Sequence, residues 1–143
     1  MKQSEVKSRD GMLLVARVLI ALLFLIFGWQ KLLDHSGTVQ YMIHAGVPLP
    51  ALATIIAVIM EFFVSIAIIL GAATRPLALL LALYTLATAF IGHRYWTMTG
   101  MARFENEINF YKNISIIGGL LALYVAGPGR YALDGMWQRK SET

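Results

Sequence analysis

The sequence contains no cysteine, which removes structural disulfides, thiolate metal sites, cysteine-ligated Fe–S clusters and thiol redox chemistry together. Any redox role must therefore borrow its electron carrier. Charge is also scarce: charged residues make up 14% of the chain against 58% hydrophobic, too little polar surface to cover a soluble globule of this size. No glycine-rich phosphate motif, nucleophile elbow or pair of carboxylates within an apolar run occurs, so the usual phosphate-binding and hydrolytic signatures are absent. No basic run forms a stripe either. The net charge of +4 comes from scattered cations, which gives no reason to expect nucleic acid as a partner.

What the sequence does contain is long apolar runs. Its 143 residues allow one domain, 1–143, and four spans of about 20 residues would use more than half of it. The spans fall at about 12–33, 51–73, 76–95 and 108–126. Lys2, Lys7 and Arg9 precede the first, as in a signal peptide. The apolar stretch is too long for one, however, and no small-residue cleavage pattern follows Trp29-Gln30-Lys31. Pro50 suits a helix start. The short turn at Thr74-Arg75-Pro76 makes spans two and three antiparallel neighbours. Gly127-Pro128-Gly129 stops the fourth, leaving a polar tail for the membrane surface. The expectation is an all-α, four-helix transmembrane bundle, up-down-up-down.

Orientation follows from lysine and arginine, which favour the cytoplasmic side of span ends. Lys2, Lys7, Arg9, Arg75, Arg130, Arg139 and Lys140 fall on the side of the N-terminus, against Lys31, Arg94 and Arg103 opposite. Both termini are therefore expected in the cytoplasm. Two outer connections are long, His35 to Pro50 and His93 to Glu107, and the first can hold a short helix or re-entrant turn ending at Gly46. Trp29, Tyr95 and Trp96 would lie at interface depth, where amphipathic rings are favoured.

An ionisable side chain inside a span costs about 2.5–3.5 kcal/mol on insertion scales and normally faces the bundle interior with a partner. Arg17, Glu61 and Lys112 are the three to explain. Counted from the span ends, Glu61 lies about 15 Å below the outer surface, Lys112 about 7 Å below it and Arg17 about 7 Å above the inner one. Either cation could then reach Glu61. Arg17, Gly28 and Lys31 share a stripe on the first helix, and Asn109, Lys112 and Asn113 share a face of the fourth. Together with His93 these residues outline a polar seam concentrated toward the outer half. Such a seam can be a pocket for an amphipathic ligand, or glue that sets helix register and binds nothing. None of the three histidines lies deep in a span, and no two share a helix at three- or four-residue spacing, so no metal or haem site is expected.

Several of these residues carry a resemblance to a known family: Arg17 with Phe27-Gly28 and Lys31, Glu61 with Gly71 and Thr74-Arg75, Lys112-Asn113, and Gly127-Pro128-Gly129 with Leu133-Asp134. In their order and spacing they resemble the DoxX family of small bacterial membrane proteins, over nearly the whole chain. Two positions depart from the pattern. Ala132 stands where a serine is common, and Arg94 where a histidine occurs, which weakens a capping role at the first and a two-histidine ligand at the second. The resemblance implies a four-helix bundle in the bacterial cytoplasmic (inner) membrane. Some relatives are subunits of quinone-linked oxidoreductases or anchors of redox-detoxification assemblies.

Two functions compete. One is an accessory subunit, not an enzyme on its own, that holds a quinone without any covalent cofactor and works with a membrane redox partner or a second copy of itself. Its ligand would lie in the seam of Arg17, Lys31, Glu61, His93, Asn109, Lys112 and Asn113. The other is a non-enzymatic binding or assembly protein whose buried charges only specify packing. An exporter would need a repeated half for alternating access, and none is visible.

Overall fold

The computed structural model describes residues 3–140. Lys2, used in the charge count above, lies outside the described residues, as do the side chains of Arg139 and Lys140. Six helices follow in order: α1 Gln3–Leu33, α2 His35–His44, α3 Pro50–Leu70, α4 Thr74–Gly92, α5 Gly100–Ala126 and α6 Leu133–Lys140. A 3-10 turn at Tyr95–Thr97 links α4 to α5. Four of these helices, α1, α3, α4 and α5, are long and apolar enough to cross a membrane. The expected all-α bundle is the observed fold, and α2 is the short helix foreseen between His35 and Gly46.

The boundaries differ from the hydropathy reading for local reasons. Apolar runs mark the stretch that lipid can surround, whereas a helix continues for as long as its backbone has partners. So α1 starts at Gln3 and α5 at Gly100, both through polar helix-formers such as Glu5, Lys7, Arg103 and Glu105. At the other extreme, α3 ends at Leu70 because Gly71 turns left-handed, with φ 75°. The next helix opens at Thr74, with Pro76 in its first turn, where the missing N–H has no helical role.

Packing is most extensive between α1 and α3 and between α4 and α5, and the two pairs meet around a common core. The tight turn at Gly71–Ala73 does join α3 to α4, but those two are not the closest pair. Ala21, Ala78 and Ala82 are almost fully buried in this core beside Phe24, Ile68, Leu81 and Leu120. Small side chains at these crossings let the helix axes approach, which is how bundles pack where lipid supplies no hydrophobic drive. Large apolar side chains such as Leu19, Phe63, Leu83 and Phe90 point outward instead.

The bundle has two ends. Asp10, Gly71–Arg75 and Gly127–Asp134 gather at the terminal end. The α2 connection and the turn after α4 meet at the loop end, where Arg94 Nη2 donates to the Ala45 carbonyl at 3.1 Å.

Candidate functional site

Glu61 lies in a π-helical turn, Ile59–Val64, that interrupts α3. Such turns bulge one residue out of the helix and recur at functional sites. Across from it, α1 presents Gly28: a Cβ there would fall 2.5 Å from both the Glu61 carbonyl carbon and the Phe62 amide nitrogen. Glycine is what lets the two backbones touch at this height. Lys31 follows three residues later on the same face of α1, and its Nζ donates to Glu61 Oε2 at 2.6 Å. From α4, the Tyr84 hydroxyl donates to Glu61 Oε1 at 2.6 Å. Both carboxylate oxygens are thus held, one by an ammonium and one by a phenol. Glu61 is 8% exposed. The Phe27 ring lies 5.7 Å from the Lys31 ammonium, and Trp29 packs against Phe62.

The predicted partners of Glu61 are corrected by this geometry. Neither Arg17 nor Lys112 reaches it. Arg17 is 1% exposed and turns to the terminal end, where Nη1 donates to the Pro128 carbonyl at 2.5 Å and Nη2 to the Tyr131 carbonyl at 2.6 Å. These acceptors exist because the chain leaves α5 at Gly127 and its carbonyls lose helical donors. Gly71 admits the returning segment, since a Cβ there would lie 2.8 Å from the Ala132 Cα. Lys112 is exposed on the outer face of α5, with Nζ donating to Asn109 Oδ1 at 2.8 Å, one turn back on the same helix.

The predicted seam therefore divides. Lys31 and Glu61 meet at the centre. Asn113 Nδ2 donates to Thr88 Oγ1 at 3.3 Å, and His93 Nδ1 sits 3.1 Å from Asn106 Oδ1. These two contacts link α4, or the residue that follows it, to α5 at the loop end. Asn109 and Lys112 pair with each other, and Lys112 is close enough to His93 to interact with it electrostatically. Among the described residues, no three histidine, aspartate or glutamate side chains gather as a metal site would require.

Sequence reasoning missed Tyr84 and Asp10, and gave Asp134 only among the residues that carry the resemblance, with no contact for it. Tyr84 is the one ionisable group in the middle of the third span, and the stripes on the first and fourth helices pass it by. Asp134 accepts from the Ala73 and Thr74 amides at 2.7 and 2.9 Å and so caps α4 from a distant segment. Asp10 Oδ1 accepts from the Arg130 amide at 3.2 Å. The tail expected to lie on the membrane surface is docked at its start by these contacts.

The DoxX family profile matches residues 12–94. This chain belongs to the DoxX family. The inner membrane protein YphA of Escherichia coli (strain K12) is 54% identical over 127 residues, 89% of this chain and 91% of that protein. The inner membrane protein YqjF of the same organism is 40% identical over 134 residues, 94% of this chain and 98% of its own length. No solved structure matches the chain significantly. The DoxX match includes Arg17, Lys31, Glu61 and Tyr84, whereas the carbonyls that Arg17 holds lie beyond it.

Proposed function

We propose that this DoxX-family protein is a polytopic inner membrane protein that binds a quinone head group at Lys31, Glu61 and Tyr84 as an accessory subunit for a separate redox enzyme. Its relatives are named inner membrane proteins, and both its termini would face the cytoplasm. The observation that carries the reading is the ammonium, carboxylate and phenol assembled on a π-helical turn inside the bundle. Ionisable groups at such a depth mark functional sites by default. A quinone carbonyl would accept from the Lys31 ammonium or the Tyr84 hydroxyl, and a quinol hydroxyl would donate to Glu61. Each partner loses a contact to the carboxylate and regains one to the ligand. The redox element comes from the family resemblance; the geometry contributes the donors and the acceptor.

Purified protein titrated with a quinone analogue tests this. Saturable binding is expected, weakened about tenfold by Glu61→Gln through loss of a charge-assisted contact, with membrane insertion intact. A preparation that carries no quinone and binds no analogue saturably would overturn the reading.

A second reading has its own support. Gly28 and Glu61 pack backbone to backbone, and neither the cavity at the terminal end nor the one on the outer face of α5 includes Glu61 in its lining. On that reading the ion pair is glue. Glu61→Gln would then lower the thermal stability in detergent, and added quinone would protect neither form.

A further inference from the structure

At the terminal end, where α4 opens and α5 stops, lies a cavity of about 710 Å³ walled by Arg75, Pro76, Gly127 and Asp134 among others. Arg75 is exposed and rests against the backbone of Gly127: a Cβ added to that glycine would come within 3.2 Å of both its Nε and its Nη2. Three other arginines have partners to hold. Arg17 holds two carbonyls, Arg94 the Ala45 carbonyl, and Arg103 lies over the Tyr95 ring. Arg75 has no hydrogen-bond or ion-pair partner among the described residues, so its planar fork of donors is positioned but unused.

The one carboxylate on the wall does not cancel it. Both oxygens of Asp134 accept from the amides at the start of α4, where the positive end of the helix dipole offsets their charge, and Arg17 is close enough to interact with it as well. Of the two charged side chains on the wall, Arg75 is the one without a hydrogen-bond or ion-pair partner among the described residues. Depth also matters: Thr74 begins one membrane-crossing helix and Ala126 ends another, so the cavity stands at the level of lipid head groups. Pro76 and Ala126 give it an apolar side toward the acyl region.

We infer that this cavity binds the phosphodiester of an anionic phospholipid, gripped by the Arg75 guanidinium over Gly127. Two parallel N–H donors match two phosphate oxygens, and the uncompensated arginine selects a lipid with net negative charge over a zwitterionic one. The site is separate from the Lys31–Glu61–Tyr84 cluster and does not depend on the quinone reading.

Native mass spectrometry of the full chain in detergent, titrated with phosphatidylglycerol, phosphatidylethanolamine or inorganic phosphate, tests the inference. One phosphatidylglycerol per chain is expected to bind, about tenfold more weakly in Arg75→Gln, as loss of a charged hydrogen-bonding group predicts, and unchanged in Arg103→Gln. Gly127→Ala should weaken it too by displacing the guanidinium. Should that variant fold poorly, Arg75→Gln still decides the matter. Equal affinity of wild type and Arg75→Gln for phosphatidylglycerol would overturn the inference. So would equal binding of phosphatidylethanolamine, or displacement of the lipid by millimolar inorganic phosphate.

Discussion

Arg17 and Glu61 are both buried, both ionisable and both inside membrane-crossing helices, yet they are held in different ways. Arg17 is held by backbone: two carbonyls of the segment that returns after α5. Glu61 is held by side chains alone, Lys31 on one oxygen and Tyr84 on the other. Carbonyls freed by a helix stop have lost their helical donors and cannot change protonation, so a cation that binds them acts as a clamp. An ammonium, a carboxylate and a phenol can exchange partners and protons. Burial of charge alone does not distinguish a fixed clamp from a cluster able to exchange protons and partners; the identity of the partner does.

That comparison breaks most directly at Arg17. Replacing it with methionine keeps most of the volume but leaves the Pro128 and Tyr131 carbonyls without donors. At about 1.5–3 kcal/mol for each hydrogen bond from a charged group, losing these two part-buried bonds should cost about 3 kcal/mol, read by unfolding in detergent. The 127–134 segment should become sensitive to protease. If Arg17→Met is as stable as wild type with that segment still protected, the clamp is not what holds the terminal end.

Gly28→Ala tests the other side of the comparison. The new methyl group would meet the Glu61 and Phe62 backbone at 2.5 Å, and α1 must move away from α3, at about 2 kcal/mol for overpacking of this kind. The move would also lengthen the reach from Lys31 to Glu61. On the proposed reading, quinone-analogue binding falls along with stability. On the packing reading stability alone falls, there being no ligand to lose.

How much of this was legible in the sequence depends on which residue is considered. The helices and their order followed from apolar runs and from stops such as Gly71 and Gly127, because local backbone chemistry decides them. Lys31 was placed on the right stripe but counted as a surface cation, since depth was measured from span ends taken to be level. Its true depth is set by Gly28 touching Glu61, a contact between helices that no single-helix pattern contains. Arg17, about 7 Å above the inner surface by helical rise, reads as a partner for Glu61 for a related reason: its long side chain can point to either end, and what decides it are carbonyls 111 and 114 residues away. Asp134 reads as an ordinary surface carboxylate until the fold brings the start of α4 to it.

The smallest expected effect lies where the terminal clamp meets its own strain. Ala73 carries φ 47°, a left-handed conformation that a side chain disfavours, while Asp134 holds its amide at 2.7 Å. Ala73→Gly removes a penalty of about 1–2 kcal/mol, offset by the greater freedom that glycine has in the unfolded chain, about 0.5–1 kcal/mol. The net gain should be about 0.5 kcal/mol, seen as a small rise in unfolding temperature. The informative experiment is the double variant with Asp134→Ala. If Asp134 is what keeps Ala73 in this conformation, losing that carboxylate should cost less in the Ala73→Gly background, where the turn needs no such restraint. Equal costs in both backgrounds would mean that the turn is fixed by the Gly71–Ala132 packing instead, and that the clamp at this end consists of Arg17 and Asp10 without Asp134.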